Sequence, residues 1–141
     1  MIRNSVGSHL FRTVYALVDG EKKDILRDGE LSCAFFVSSI LSHFKLIGSV
    51  HAGVEGLRKD MEASGWRKTD MVIPGVVIAW GPLIQASGES HPHIGFALDE
   101  TTAVSSSYVE NTIVAHPNTE TPGNSGRAIH ATYTHPFLEG K

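Results

Sequence analysis

The chain has 141 residues, enough for one domain with its own core, and its 41% hydrophobic and 19% charged content is that of a folded protein rather than a disordered one. A formal charge of −3, with 12 Lys and Arg against 15 Asp and Glu and no basic run interleaved with aromatics, argues against nucleic acid as a partner. The longest apolar runs, Cys33 to Ile40 and Val76 to Trp80, fall far short of the ~20 residues needed to span a bilayer, which argues against a membrane partner. No continuous apolar signal segment precedes Asp24, and a single cysteine allows no internal disulfide. The expectation is a soluble protein of the reducing cytoplasm, reaching a cell wall only by a signal-independent route.

In chain order, Leu10, Val14 and Leu17 predict a short helix within Val6 to Val18, followed by a polar loop punctuated by Asp19-Gly20 and Asp28-Gly29. A central helix is expected from Ser32 to Leu46, with Cys33, Phe36, Val37, Ile40, Leu41 and Phe44 on one stripe and Gly48 beyond its end. A third helix follows from Ser49 as N-cap, through Val50, Val54, Leu57 and Met61, until Gly65 closes it. From Pro74 the texture is β: VVIAW, HIGFAL, TAVSSSYV, NTIVAH and AIHATYTHPF, separated by turn residues. The stretches GPLIQASGES and PNTETPGNSG read as surface loops. Helices first and then a meander of strands predict one α+β domain over residues 1–141, its N-terminal helices packed on one side of a C-terminal antiparallel sheet.

Chemistry concentrates on Cys33. A cysteine in the first turn of a helix faces unpaired backbone N–H groups, which favour a thiolate and can also receive the oxyanion of a tetrahedral intermediate. His93 opens the strand HIGFAL and is the candidate base, with Gly95 on the same face expected to leave open space beside its ring. Together, helix start and imidazole predict a lowered Cys33 pKa and a sulfur within about 4 Å of the His93 ring. A third polar group would orient the imidazole. A hairpin around Asp99 to Thr102 brings Ser105, Ser106 and Ser107 back opposite His93 or Gly95, the register left open by the sequence, with Ser105 the first choice and Asn111 a further candidate.

The segments SCAFFVSSIL, PGVVIAW, HPHIGFAL and AVSSS, across roughly Asp28 to Ser107, resemble the NlpC-type cell-wall peptidases and the related CHAP amidases of the papain-like superfamily. The resemblance implies a papain-like (NlpC-type) fold and a Cys-His-polar triad in which Cys33 attacks, His93 transfers the proton and Ser105, a dozen positions on, holds the ring. It also implies hydrolysis of an amide bond in a small peptide or peptidoglycan fragment, with no cofactor. The same apparatus serves acyl transfer or deamidation, and a catalytically inactive binding module would keep the same fold.

Several other residues have readings of their own. Cys33 with His91 and His93 offers ligand types for zinc, without a fourth ligand at a recognised spacing. His43, His116, His130 and His135 read as solvent-exposed, and His51 as a residue able to line the cleft. Trp66 and Trp80 read as rings filling the space between helix and sheet, or walling the groove.

Overall fold

The computed structural model describes residues 2–7, 15–18, 21–24, 32–51, 53–84, 90–107, 112–122 and 127–139. The helix expected within Val6 to Val18 is not formed where it is described: Arg3–Ser5 is a single 3-10 turn, and Tyr15–Val18 (β1) pairs antiparallel with Glu21–Asp24 (β2), from Tyr15 opposite Asp24 to Val18 opposite Glu21. A two-residue Asp-Gly connection between strand-forming residues is a strong hairpin signal, and it outweighs three apolar residues at near-helical spacing. Leu10 and Val14 lie outside the described residues.

The central helix, α1, runs Ser32–His43 and buries Ala34, Phe36, Val37, Ile40 and Leu41. It stops short of Leu46 because Lys45 takes a left-handed φ of 59° while the Leu46 N–H returns to the Leu41 carbonyl at 2.9 Å, a Schellman closure. That turn leaves Phe44 exposed. The second helix, α2, spans Val54–Ala63 from Gly53 as N-cap, so it begins after Ser49 and Val50; it buries Val54, Leu57 and Met61, and Gly65 follows it at φ 97°.

The main sheet contains Arg67–Lys68 (β3), Val77–Ile84 (β4), Ser90–Ala97 (β5), Thr102–Ser107 (β6), Thr112–Pro117 (β7) and Ile129–Thr134 (β8), and Pro136–Glu139 forms a short terminal helix, α3. The strand order is β3-β8-β4-β5-β6-β7. The expected meander therefore holds from β4 to β7 and is then broken, because β8 returns to pair with β4 and separates it from β3. All six strands pair antiparallel.

Strand alternation divides the apolar residues between two faces. Val77, Ala79, Ile94, Phe96, Val104, Ile113 and Tyr133 join the apolar residues of α1 and α2 in one core, where Phe36 meets Phe96 edge to face with ring centroids 5.6 Å apart. Val76, Ile78, Trp80, Ala97 and Ala103 form a second cluster on the opposite face. Burial on both faces is why VVIAW reads as an unbroken apolar run instead of an alternating one. The architecture is α+β, and among the described residues no helix is long and apolar enough to cross a membrane.

Candidate active site

Cys33 is the second residue of α1 and packs, partly buried, against the helix-side core. The backbone N–H groups of Ile94, Ala34 and Cys33 itself favour the ionised sulfur, as does the charge of Arg127, but burial outweighs all of them and pushes the thiol pKa up. The lowered pKa expected from the helix start is thereby corrected. Desolvation is the larger effect, and the thiol is protonated at neutral pH.

His93 stands opposite Trp80 in the β4–β5 ladder, with the two rings 5.5 Å apart. Trp80 belongs to the cluster on the far face, so alternation along β5 sends the His93 ring away from the face on which α1 packs. Its Nε2 is shielded from solvent and has no hydrogen-bond partner. Burial, with smaller contributions from the charges of Arg127 and His116, holds its pKa down at about 3, so the ring is neutral at pH 7. Among the described residues no hydrogen bond joins the thiol to His93 Nε2.

Ile94 is what brings the two together. It follows His93 directly, and its N–H acts on the Cys33 sulfur. The β5–β6 ladder pairs Phe96 with Val104 and Ala97 with Ala103, and two residues before Phe96 the Ile94 N–H acts on the sulfur at the start of α1.

Ser105 is fully buried, and its Oγ lies 2.8 Å from His116 Nε2 rather than on the His93 ring. Ser107 shares the face of Ser105, Ser106 points to the other face with Val104, and Asn111 lies outside the described residues. Gly95 does not open space beside the imidazole. A Cβ there would stand 2.6 Å from the Val104 carbonyl oxygen and 2.8 Å from the Ser105 Cβ, so the glycine permits close approach of β6.

Around the candidate site the structure corrects the placement of His116 and Trp80 and adds Arg127, which the sequence did not mark. His116, expected at the surface, is half-buried with its ring 5.6 Å from Trp80. Its signal lay in the return of NTIVAH along AVSSS, where register sets Val114 opposite Ser105 and His116 opposite Ala103. Trp80 is fully buried on the face away from the helices, donating its indole N–H to the Asn118 carbonyl at 2.9 Å, whereas Trp66 fills the helix-side core as expected. Arg127 is buried, with Nε donating to the Gly81 carbonyl at 2.8 Å and a guanidinium nitrogen to Thr121 Oγ1 at 3.2 Å. It follows a Gly- and Ser-rich stretch, and nothing in that local sequence marks it.

His51 does not present a free ring. Its Nε2 donates to Asp60 Oδ2 at 2.7 Å, and its backbone N–H donates to Ser38 Oγ at 2.9 Å. Ser49 Oγ approaches the same Nε2 at 3.5 Å, so Ser49, His51 and Asp60 do not form a relay, which needs the two ring nitrogens engaged on opposite sides. His135 is also engaged, its Nε2 donating to the Ser64 carbonyl at 3.1 Å. Among the described residues no group of three or more His, Cys, Asp and Glu side chains is placed to hold a metal ion.

A scan against protein-family models finds no match for the chain, and a search of curated proteins finds none either.

Proposed function

We propose that the chain is a cysteine hydrolase that cleaves an amide bond in a small peptide, of the kind found in bacterial peptidoglycan, with Cys33 as nucleophile and His93 as general base. The observation that carries this reading is the group of backbone N–H donors at Cys33, Ala34 and Ile94 acting on a thiol at a helix start, one residue along the strand from a neutral imidazole. The resemblance of SCAFFVSSIL and HPHIGFAL to the NlpC-type peptidases supports the same assignment.

With thiol and imidazole both neutral, the reaction begins by general-base catalysis and not from a preformed ion pair. As the His93 ring takes the thiol proton, the sulfur attacks the carbonyl carbon, and the resulting oxyanion is stabilised by N–H groups at the start of α1. The C–N bond then breaks, and the amine leaves with the proton held by His93. Water attacks the thioester with His93 again as base, releasing the carboxylic acid and restoring the thiol. Reaching the thiol requires the His93 ring to turn, and a nitrogen without a partner gives up no hydrogen bond in turning.

A second reading, a catalytically inactive module of the same fold that binds the peptide, is favoured by the protonated thiol and its lack of a hydrogen bond to His93. Incubation with purified muropeptides and mass analysis of the products separates the two. Cleavage by the wild type that disappears in Cys33→Ser supports the hydrolase. Retention of intact peptide by both proteins rejects it in favour of the binding module, and a transferred acyl group or released ammonia redirects it to acyl transfer or deamidation.

A further inference from the structure

His116 has an arrangement that the mechanism above does not use. Its Nδ1 is 2.8 Å from the Pro117 carbonyl oxygen, which only accepts, so Nδ1 carries the proton. In a neutral imidazole the other nitrogen is then an acceptor, and burial favours that neutral state. Ser105 Oγ, 2.8 Å from Nε2, must therefore donate to it. A hydroxyl has one proton and two lone pairs; with its proton committed to His116, Ser105 offers only acceptor sites to any other neighbour.

On the same sheet face stands His93, a ring in want of a partner. Its shielded Nε2 lacks a partner, and its ring shares the Trp80 indole with His116, at 5.5 and 5.6 Å respectively. Same-face residues along a strand are about 6.5–7 Å apart. Ser105 occupies the place where a side chain of Gly95, two residues from His93, would otherwise project, with its Cβ 2.8 Å from that position. An imidazole and a hydroxyl span such a gap when the ring turns toward Gly95.

We propose that His116 is a positioning residue of the Cys33–His93 centre: by taking the Ser105 proton it makes Ser105 an acceptor for one N–H of His93, which leaves the other His93 nitrogen basic toward the thiol. The assignment rests on the hydrolase reading of Cys33 and His93. It also explains how a serine, ambivalent as donor and acceptor, can define a histidine tautomer as an asparagine carbonyl or a carboxylate does. His116 supplies the direction that the hydroxyl lacks.

The test combines histidine-selective 15N NMR near neutral pH with the rate of Cys33 alkylation by iodoacetamide, for the wild type, His116→Ala, His116→Gln, Ser105→Ala and His93→Ala. In the wild type His93 shows one tautomer; in His116→Ala and Ser105→Ala it becomes a mixture, and alkylation slows about tenfold, the loss of one neutral hydrogen bond. His116→Gln, whose amide oxygen can accept the same hydroxyl proton, returns both readouts toward the wild type, which a merely structural role would not require. Chemical-shift dispersion verifies folding of each variant. Should His116→Ala fail to fold, the Gln variant and Ser105→Ala decide: a His93 tautomer unaltered by loss of the Ser105 hydroxyl overturns the proposal. A tautomer unmoved by His116→Ala in a folded protein whose alkylation still depends on His93 overturns it while leaving the hydrolase reading intact. Alkylation indifferent to His93 overturns that reading and the proposal with it.

Discussion

Gly95 and Ser105 approach across β5 and β6 so closely that a Cβ added to the glycine would fall 2.8 Å from the serine Cβ and 2.6 Å from the carbonyl oxygen of Val104. The second of these contacts is with backbone, which cannot swing aside as a flexible side chain can. Gly95→Ala must therefore push the strands apart, at an overpacking cost of about 1–3 kcal/mol. Urea denaturation of the variant measures it. Adding Ser105→Gly in the same chain should not restore stability, because the clash with the Val104 carbonyl persists. Recovery in the double variant would place the strain on the serine alone.

Asp60 anchors the connection between α1 and α2. Its carboxylate accepts the Gly48 and Ser49 N–H groups at 2.8 and 3.0 Å, the Ser64 hydroxyl at 3.0 Å and the His51 ring at 2.7 Å. His51 first, and then the backbone donors, hold its pKa well below the usual carboxylate range. Asp60→Ala leaves four donors seeking other acceptors, and as they sit near the surface water replaces part of the loss. The expected destabilisation is about 2–3 kcal/mol, with Asp60→Asn losing less because it keeps one acceptor oxygen. Equal stability of Asp60→Ala and wild type in denaturant would show that water compensates fully.

What could be read from sequence follows from which forces act locally. The expected stripe of Cys33, Phe36, Val37, Ile40, Leu41 and Phe44, of which all but the exposed Phe44 pack in the helix-side core, and the runs VVIAW and HIGFAL carry their periodicity in adjacent residues, and α1, β4 and β5 lie where those patterns put them. The hairpin bringing Ser105 back toward Gly95 was legible because Asp99 closes its turn, with Oδ1 accepting the Thr101 and Thr102 N–H groups. The return of β8 beside β4 was not legible, since it depends on pairing between segments some fifty residues apart. The face of the His93 ring was not legible either. Helix start and strand start each look right in isolation, but which side of β5 receives α1 is decided by Ile94 and Phe96 packing on Phe36. The environment of His116 required the β6–β7 register, which one slipped residue would have inverted.

Burial of His93 makes a prediction for acid stability. Its folded pKa of about 3 lies below the ordinary 6.5, so the unfolded chain binds a proton there that the native state refuses. This contribution to stability is present above pH ~6.5 and is lost as pH falls toward about 3, at no more than about 1.4 kcal/mol for each pH unit. Asp60, also lowered, contributes in the same direction below about pH 4. Replacing the ring by a group that does not titrate, in His93→Gln, should make the stability profile shallower between pH 6 and 4, leaving the part due to His116, whose pKa burial also lowers, and the later fall due to Asp60 and Asp99. Urea midpoints across that range measure it. Parallel profiles for the variant and wild type would mean that His93 is protonated in the folded protein after all.

Cys33 makes the complementary prediction on the alkaline side. Burial raises its pKa, and the N–H groups of Ile94, Ala34 and Cys33 itself only partly offset that rise, so the native thiol ionises later than the same thiol in the unfolded chain. The rate of iodoacetamide alkylation, which follows the thiolate, should turn upward above the unfolded value of about 8.5 in native protein and near it in denaturant. Because the folded pKa of this acid is raised, its contribution to stability is complete below the unfolded pKa and is lost as pH rises through the folded one. Cys33→Ala should therefore be less sensitive than wild type to pH between about 8.5 and 10. His93→Ala should slow alkylation near neutral pH, where the ring takes the thiol proton during attack, without moving the inflection of the native profile, since a neutral ring places no charge near the sulfur. A native inflection near pH 6 that returns to the ordinary value in His93→Ala would instead reveal a thiolate–imidazolium pair. Catalysis would then begin from an ionised nucleophile and not from proton transfer during attack.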